Sequence, residues 1–165
     1  MRPAPGLTIE QQDERVVRRL LLCGEARGEQ DAEGTLEAAA MAAVVFLPKN
    51  RRSRPRWKVQ SEREIMLAPW QFSCFNANDP NREKLLGLWQ TDPISWERAD
   101  TVADLFERGL LVDPTGNATH YVTANLWNME TPEGKSVQWF HRSEIDSGRT
   151  HETARWGHHV FAIAP

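Results

Sequence analysis

The chain has 165 residues, 40% of them hydrophobic and 26% charged, with a formal net charge of -3 at pH 7. This composition excludes a disordered chain and predicts a globular protein. No apolar run approaches the roughly 18 residues of a membrane span, and residues 1–6 lack the apolar core of a secretory signal. We therefore predict a cytoplasmic protein without membrane insertion and a single domain over residues 1–165, ordered from about 8 to 163 after a loose proline-rich segment at 1–7.

The first predicted helix covers residues 9–26 and follows a capping box at Thr8. Apolar residues recur at helical spacing on one face, which we expect to be buried, and the charged residues lie on the other face. Gly24 or Gly28 is expected to end this helix, because glycine accepts the left-handed conformation found at helix ends.

Three further helices are predicted from start and stop signals. Residues 36–47 follow Thr35, a good N-cap, and are apolar on nearly all sides, so this helix should be the buried central one, ended by Pro48. A capping box at Ser61 begins a short helix, and residues 95–109 form a capped helix with a glycine stop.

Strands are predicted in the last third of the chain. Residues 119–123 and 156–163 alternate as short strands do, whereas residues 130–155 give no clear pattern. With helices first and strands later, the predicted class is α+β, mainly helical, with short strands in the C-terminal part.

Residues 49–58 carry six cations in ten positions. This basic segment is either a solvated loop or a contact for an anionic polymer, such as nucleic acid or the acidic polymers of a bacterial cell wall. The chain lacks a basic recognition helix and an aromatic RNA-binding signature, so we predict no specific nucleic-acid partner.

Glu25 is the most unusual acid in the sequence. It falls one step further along the apolar face of the first helix, close to the expected helix end. The negative end of the helix dipole and apolar neighbours would both disfavour its carboxylate form, as a general acid requires. The alternative is an exposed glutamate paired with Arg27 or Arg19.

Residues 70–78 combine aromatic rings with amide and hydroxyl groups. Aromatic rings can stack on pyranose faces and amides can bind sugar hydroxyls, so this segment suits a sugar subsite. A structural loop explains the same composition equally well.

The cysteines and histidines give weaker signals. Cys23 and Cys74 are expected to be buried free thiols rather than a disulfide. All five histidines lie in the last third, and a zinc site could combine His120, His158 or His159 and Asp113. No recognised zinc motif or nucleophile elbow is present, so we predict no metal and no cofactor.

Four motifs occur in an order that resembles a known family. They are Gly24-Glu-Ala-Arg-Gly-Glu29, Gln71-Phe-Ser-Cys-Phe75, Asp113-Pro-Thr-Gly-Asn-Ala-Thr-His-Tyr121 and Gly157-His-His-Val-Phe161. Together they resemble the spore-cortex-lytic cell wall hydrolases, a group that includes phage endolysins, over about residues 13–163.

The resemblance implies a compact lysozyme-like fold and cleavage of the β-1,4 bond between N-acetylmuramic acid and N-acetylglucosamine in bacterial peptidoglycan. It also implies that Glu25 is the catalytic acid of a lytic transglycosylase. Substrate-binding roles are implied for residues in two other motifs: Gln71, Phe72, Ser73, His120 and Tyr121. Glu29 is expected to be structural, paired with Arg27.

The expected protein is therefore a monomeric phage-type endolysin, cytoplasmic without a signal peptide until a holin opens the membrane. Two other functional classes stay open. One is a zinc-dependent amidase or peptidase that cuts the stem peptide, and the other is a noncatalytic module that binds glycan.

Overall fold

The computed structural model describes residues 1–29, 35–128 and 142–164. Within these ranges the chain is mainly helical with a small sheet, which confirms the predicted α+β class. The helices are α1 (Glu14–Ala26), α2 (Thr35–Val44), α3 (Leu47–Arg52), α4 (Glu62–Leu67), α5 (Leu88–Thr91), α6 (Pro93–Glu107), α7 (Ala124–Asn128) and α8 (Arg142–Asp146). The strands are β1 (His120–Thr123), β2 (His151–Trp156) and β3 (His159–Ile163).

The first predicted helix is in fact two elements. The capping box at Thr8 begins a single 3-10 turn, Ile9–Gln11, and α1 then starts again after its own cap, Asp13. The break falls at Gln12, which is buried in an extended conformation with its side-chain amide bonded to backbone groups of residues 4 and 7. α1 ends before Gly28, whose φ is +97°.

Two arginines of α1 correct the expectation that its charges face outward. Arg18 and Arg19 are both buried. Arg18 pairs with Glu62 of α4 and Glu107 of α6, and Arg19 pairs with Glu107 and Asp100. Burial of these cations is tolerated because each guanidinium meets carboxylates from the neighbouring helices.

α2 and α3 divide the segment predicted as one helix. α2 ends at Val44, and Pro48 lies in the first turn of α3 rather than ending a helix. Proline fits this position because the first helical N–H groups have no partner within the helix. The basic segment therefore begins inside α3, where Arg51 is buried and Arg52 is exposed.

The other helix signals are largely confirmed. Ser61 caps α4 through the expected capping box. α6 starts slightly earlier than predicted because Asp92 is its cap and Pro93 its first residue, and it ends before Gly109, whose φ is +69°.

The sheet has three antiparallel strands in the order β1-β3-β2. The strand predicted over 156–163 corresponds to β3 with the preceding turn, in which Gly157 has φ +59°, and Trp156 is instead the last residue of β2. All of β2 except Trp156 lies in the stretch 130–155 that gave no clear pattern, of which residues 130–141 are outside the described ranges. No helix in the described part of the chain is long and apolar enough to cross a membrane.

The main core places the sheet against the helices. Apolar side chains of α1, α2 and α6 pack together, and Phe161 of β3 joins them. The C-terminal end of α1 therefore lies close to the sheet and to the segment around residue 74.

Candidate active site

The Glu25 carboxylate lies at the next-to-last position of α1 and receives hydrogen bonds from three residues. Its Oε1 accepts the backbone N–H of Cys74 at 2.8 Å. The Ser73 hydroxyl donates to the same carboxylate, 3.1 Å from Oε1 and 3.3 Å from Oε2, and the Tyr121 hydroxyl donates to Oε2. Glu25 is half-buried, and neither Arg19 nor Arg27 is its partner.

Gly24 allows the 73–75 segment to approach Glu25 so closely. A Cβ at this position would lie 2.5 Å from Cys74 Cβ and 2.6 Å from Cys74 Sγ, well inside carbon contact distance. Gly24 is thus an interior helix residue at a close packing point, and its predicted role as a helix stop was wrong.

Tyr121 reaches Glu25 from β1, on the opposite side of the site. Its ring contacts those of Phe72 and Phe161, with centroids 6.4 Å and 6.0 Å away and interplanar angles of 26° and 24°. Burial and the adjacent Glu25 carboxylate raise the pKa of Tyr121 well above its ordinary value. The side chain is therefore a neutral phenol whose position is fixed by the two rings.

Arg51 connects the loop before the 73–75 segment to the start of β1. Its guanidinium donates to the Thr119 carbonyl at 2.7 Å and to the Gln71 carbonyl at 3.3 Å, and it lies 4.5 Å from the centre of the Phe72 ring. Burial lowers the pKa of Arg51 to about 10, which leaves it cationic at neutral pH. It is the one buried cation of the basic segment.

His120 precedes Tyr121 and is buried. Its Nδ1 lies 2.9 Å from the Thr119 hydroxyl, and its ring centre is 5.8 Å from that of Trp57. Burial, together with the positive charges of Arg51 and Arg56, lowers the pKa of His120 to about 3. At neutral pH His120 is therefore an uncharged polar group.

The sequence had suggested that Glu29 pairs with Arg27, and this prediction was wrong. Arg27 pairs with Asp92 at 3.2 Å. The buried Glu29 carboxylate instead accepts the backbone N–H of His158 at 3.0 Å. Its oxygens lie 2.6 Å from Nδ1 of His158 and 3.2 Å from Nδ1 of His159.

The Glu29 contacts fix the turn between β2 and β3 against the end of α1. The turn can approach because Gly157 has no side chain, and a Cβ there would collide with the Glu29 carboxylate. His159, held in this way, lies edge-on to Tyr121 with ring centres 5.2 Å apart. Burial lowers the pKa of His159, although Glu29 and Glu25 oppose the shift.

A cavity of about 840 Å³ contains the Glu25 side chain in its wall. Of the residues predicted from the sequence, Glu25, Gln71, Ser73, His120 and Tyr121 all line it. Phe72 does not. Its side chain is almost fully buried behind the cavity wall, which corrects its predicted place in the cleft.

The cavity wall also contains residues that were not among the predicted substrate-binding residues: Arg51, Arg56, Trp57, Trp70 and His159. Trp70 is the first residue of segment 70–78, which the sequence had indicated as a candidate sugar subsite. The others come from segments whose proximity depends on tertiary packing. Among the cavity residues that the structure describes, Glu25 is the sole carboxylic acid.

The alternative zinc site is not formed in the described part of the chain. Both carboxylate oxygens of Asp113 already accept hydrogen bonds, one from Asn50 at 2.8 Å and the other from the backbone N–H and the hydroxyl of Thr115. No group of three or more His, Cys, Asp or Glu residues within the described ranges is arranged to hold a metal ion. His141 lies outside those ranges. Both cysteines are buried and free.

Within the part of the chain that the structure describes, the geometry defines a candidate acid–base site, with one carboxyl group and neutral hydrogen-bond donors in a cavity that reaches the surface. A family model described as Cell Wall Hydrolase matches residues 32–162. Since this match covers most of the chain, the protein belongs to the cell wall hydrolase family, and peptidoglycan is the substrate that the family implies. No curated protein and no solved structure matched the chain. The matched range begins after Glu25, so the assignment of Glu25 depends on the cavity itself.

Proposed function

We propose that this cell wall hydrolase is a lytic transglycosylase that cleaves the β-1,4 bond between N-acetylmuramic acid and N-acetylglucosamine. The observation that carries the proposal is the single carboxyl group, Glu25, in the described cavity wall. Ordinary glycosidases use a pair of carboxylates about 5 to 9.5 Å apart. A site with one carboxyl group fits a scheme in which the same group acts first as acid and then as base.

In this scheme Glu25 gives its proton to the glycosidic oxygen while the bond from that oxygen to C1 of the muramic acid breaks. The C6 hydroxyl of the same muramic acid then attacks C1 and returns its proton to Glu25. The products are a new N-acetylglucosamine 4-hydroxyl end and a 1,6-anhydromuramyl end. No water is consumed, and Glu25 finishes in its starting protonation state.

The donors around Glu25 suit both halves of this cycle. The Cys74 N–H can only donate, so Oε1 is the oxygen that always accepts, and Oε2 is the oxygen that carries the transferable proton. The Tyr121 hydroxyl beside Oε2 can rotate to accept from the protonated acid and donate to the carboxylate. Tyr121 therefore stabilises the ionised form that follows proton transfer.

The test is mass spectrometry of the soluble products released from purified sacculi by the wild type, Glu25→Gln and Tyr121→Phe. We expect anhydromuramyl ends from the wild type, none from Glu25→Gln, and at least tenfold fewer per unit time from Tyr121→Phe, since a hydrogen bond to a charged group contributes about 1.5–3 kcal/mol. Circular dichroism spectra and melting curves of the variants check that they are folded.

Other products would refute this proposal in distinct ways. Reducing muramyl ends would show hydrolysis and require an activated water. Free stem peptides, released in a chelator-sensitive reaction, would indicate the zinc amidase or peptidase. Binding to sacculi without any release would indicate the noncatalytic module.

The phage-lysis role and the cytoplasmic location before holin release rest on the resemblance and stay predictions. Co-expression of the protein with and without a holin tests them, because lysis should require both. Lysis by the protein alone would contradict the need for a holin.

A further inference from the structure

Trp70 combines two features that are costly for a large apolar residue. Its side chain is 76% exposed at the wall of the Glu25 cavity, and of the tryptophans in the described ranges it alone is exposed. Its backbone has φ +65°, in the left-handed region that bulky residues rarely adopt and that glycine adopts without penalty. Neither feature helps the chain to fold.

The strained conformation is held from both sides. The Trp70 N–H donates to the Asn76 side-chain oxygen at 3.0 Å. The next residue, Gln71, donates its N–H to the Ala68 carbonyl at 3.2 Å, and its own carbonyl accepts from the buried Arg51. The segment is thus fixed with the indole on the cavity rim. Strain that persists at the edge of a site, where glycine would relieve it, points to a function for the side chain.

We propose that Trp70 is a platform on which a pyranose ring of the glycan strand stacks, beside the bond that Glu25 cleaves. The inference rests on the proposed function and adds a specific substrate contact to it. The face of an indole carries negative potential, which attracts the weakly positive C–H groups on the flat face of a pyranose ring. Stacking also removes from water the apolar surface that Trp70 exposes.

Glycine and alanine at position 70 separate stacking from strain. Both remove the indole, but only alanine retains the left-handed penalty. The probe is a soluble peptide-free tetrasaccharide of alternating N-acetylglucosamine and N-acetylmuramic acid, measured by calorimetry in the Glu25→Gln background so that it is not cleaved. We expect Trp70→Gly and Trp70→Ala to weaken binding about tenfold, while Trp70→Phe stays within about threefold.

Melting curves give the second readout. Trp70→Gly should melt about 2–4 °C above Trp70→Ala, because glycine relieves the strain. Asn117→Gly is the matched control: Asn117 has φ +64° but does not line the cavity, so this substitution should leave binding unchanged.

The outcomes distinguish this inference from the proposed function. If the wild type releases anhydromuramyl products but all Trp70 variants bind the tetrasaccharide as tightly as the Glu25→Gln protein that retains Trp70, the stacking inference is wrong and the proposed function survives. Loss of binding in Trp70→Ala but not in Trp70→Gly would also overturn it, since backbone distortion would then be the cause. If the wild type neither cleaves sacculi nor binds the tetrasaccharide, both proposals fail.

Discussion

The close approach of α1 to the 73–75 segment at Gly24 makes Gly24→Ala a sensitive test of the site. The added Cβ would lie 2.5 Å from Cys74 Cβ, where carbon atoms prefer about 3.5–4.0 Å, so the two segments must separate by about 1 Å. Such overpacking costs about 1–3 kcal/mol. It is partly offset by about 1 kcal/mol from the better helix propensity of alanine.

The effect on activity should exceed the effect on stability. A shift of about 1 Å would stretch the 2.8 Å bond from the Cys74 N–H to Glu25 beyond hydrogen-bonding distance. Hydrogen bonds to charged groups contribute about 1.5–3 kcal/mol, so we expect kcat to fall roughly 10- to 100-fold. The free energy of unfolding should fall by no more than about 2 kcal/mol.

The assays are urea unfolding and the initial rate of product release from sacculi. Two second-site variants are matched controls in the Gly24→Ala background. Cys74→Gly removes both Cβ and Sγ and should restore part of the lost activity, whereas Cys74→Ala leaves the colliding Cβ and should restore much less. Each variant is also measured singly, so that the coupling follows from a double-mutant cycle. If Gly24→Ala is more stable by about 1 kcal/mol and fully active, the reasoning from close packing is refuted.

Two further predictions concern buried polar groups in the cavity wall, Arg51 and His120. Arg51→Met should lower the free energy of unfolding by about 2–4 kcal/mol, because the Thr119 and Gln71 carbonyls lose their hydrogen-bond donor. The control is Arg52→Gln at an exposed position, which should change the free energy of unfolding by less than about 0.5 kcal/mol. Equal effects of the two substitutions in urea unfolding would contradict the structural role of Arg51. The pKa of His120 is about 3 in the folded protein, against an ordinary value of 6.5. As the pH falls, His120 is therefore protonated in the unfolded chain before it is protonated in the folded one, so stability is lost between pH 6.5 and pH 3. The free energy of unfolding should therefore drop about 2 kcal/mol more between pH 7 and pH 5 in the wild type than in His120→Gln, and parallel pH profiles would show that His120 is not buried in neutral form.

Local sequence patterns located four of the eight helices in the described ranges, α1, α2, α4 and α6, but not the short helices α3, α5, α7 and α8. The capping box at Ser61 and the glycines that follow α1 and α6 act within a few residues, so their effects can be read directly from the sequence. The division between the turn that begins at Thr8 and α1 could not be predicted from the sequence, because it depends on the hydrogen bonds that the buried Gln12 side chain makes. The break between β2 and β3 had a local signal, Gly157, that the prediction did not use.

The composition of the site depended much more on tertiary structure. Glu25 and Tyr121 are 96 residues apart in the sequence, and only the tertiary fold brings their side chains into contact. Burial within the basic segment 49–58 could not be predicted, since the sequence alone does not show that Arg51 is buried while its neighbour Arg52 is exposed. The same limit explains Phe72, which lies between two predicted cavity residues but points into the core.

Glu25 and Glu29 show how position, and not residue type, determines the use of a carboxyl group. They belong to one motif, but α1 ends between them, so their side chains meet different partners. Glu29 is buried against the β2–β3 turn and contacts the imidazoles of His158 and His159. Glu25 contacts an amide, a serine hydroxyl and a phenol, none of which takes up a proton near neutral pH. In the proposed reaction Glu25, which lines the cavity, exchanges its proton with the glycan, whereas Glu29 holds the turn that sets His159 beside Tyr121.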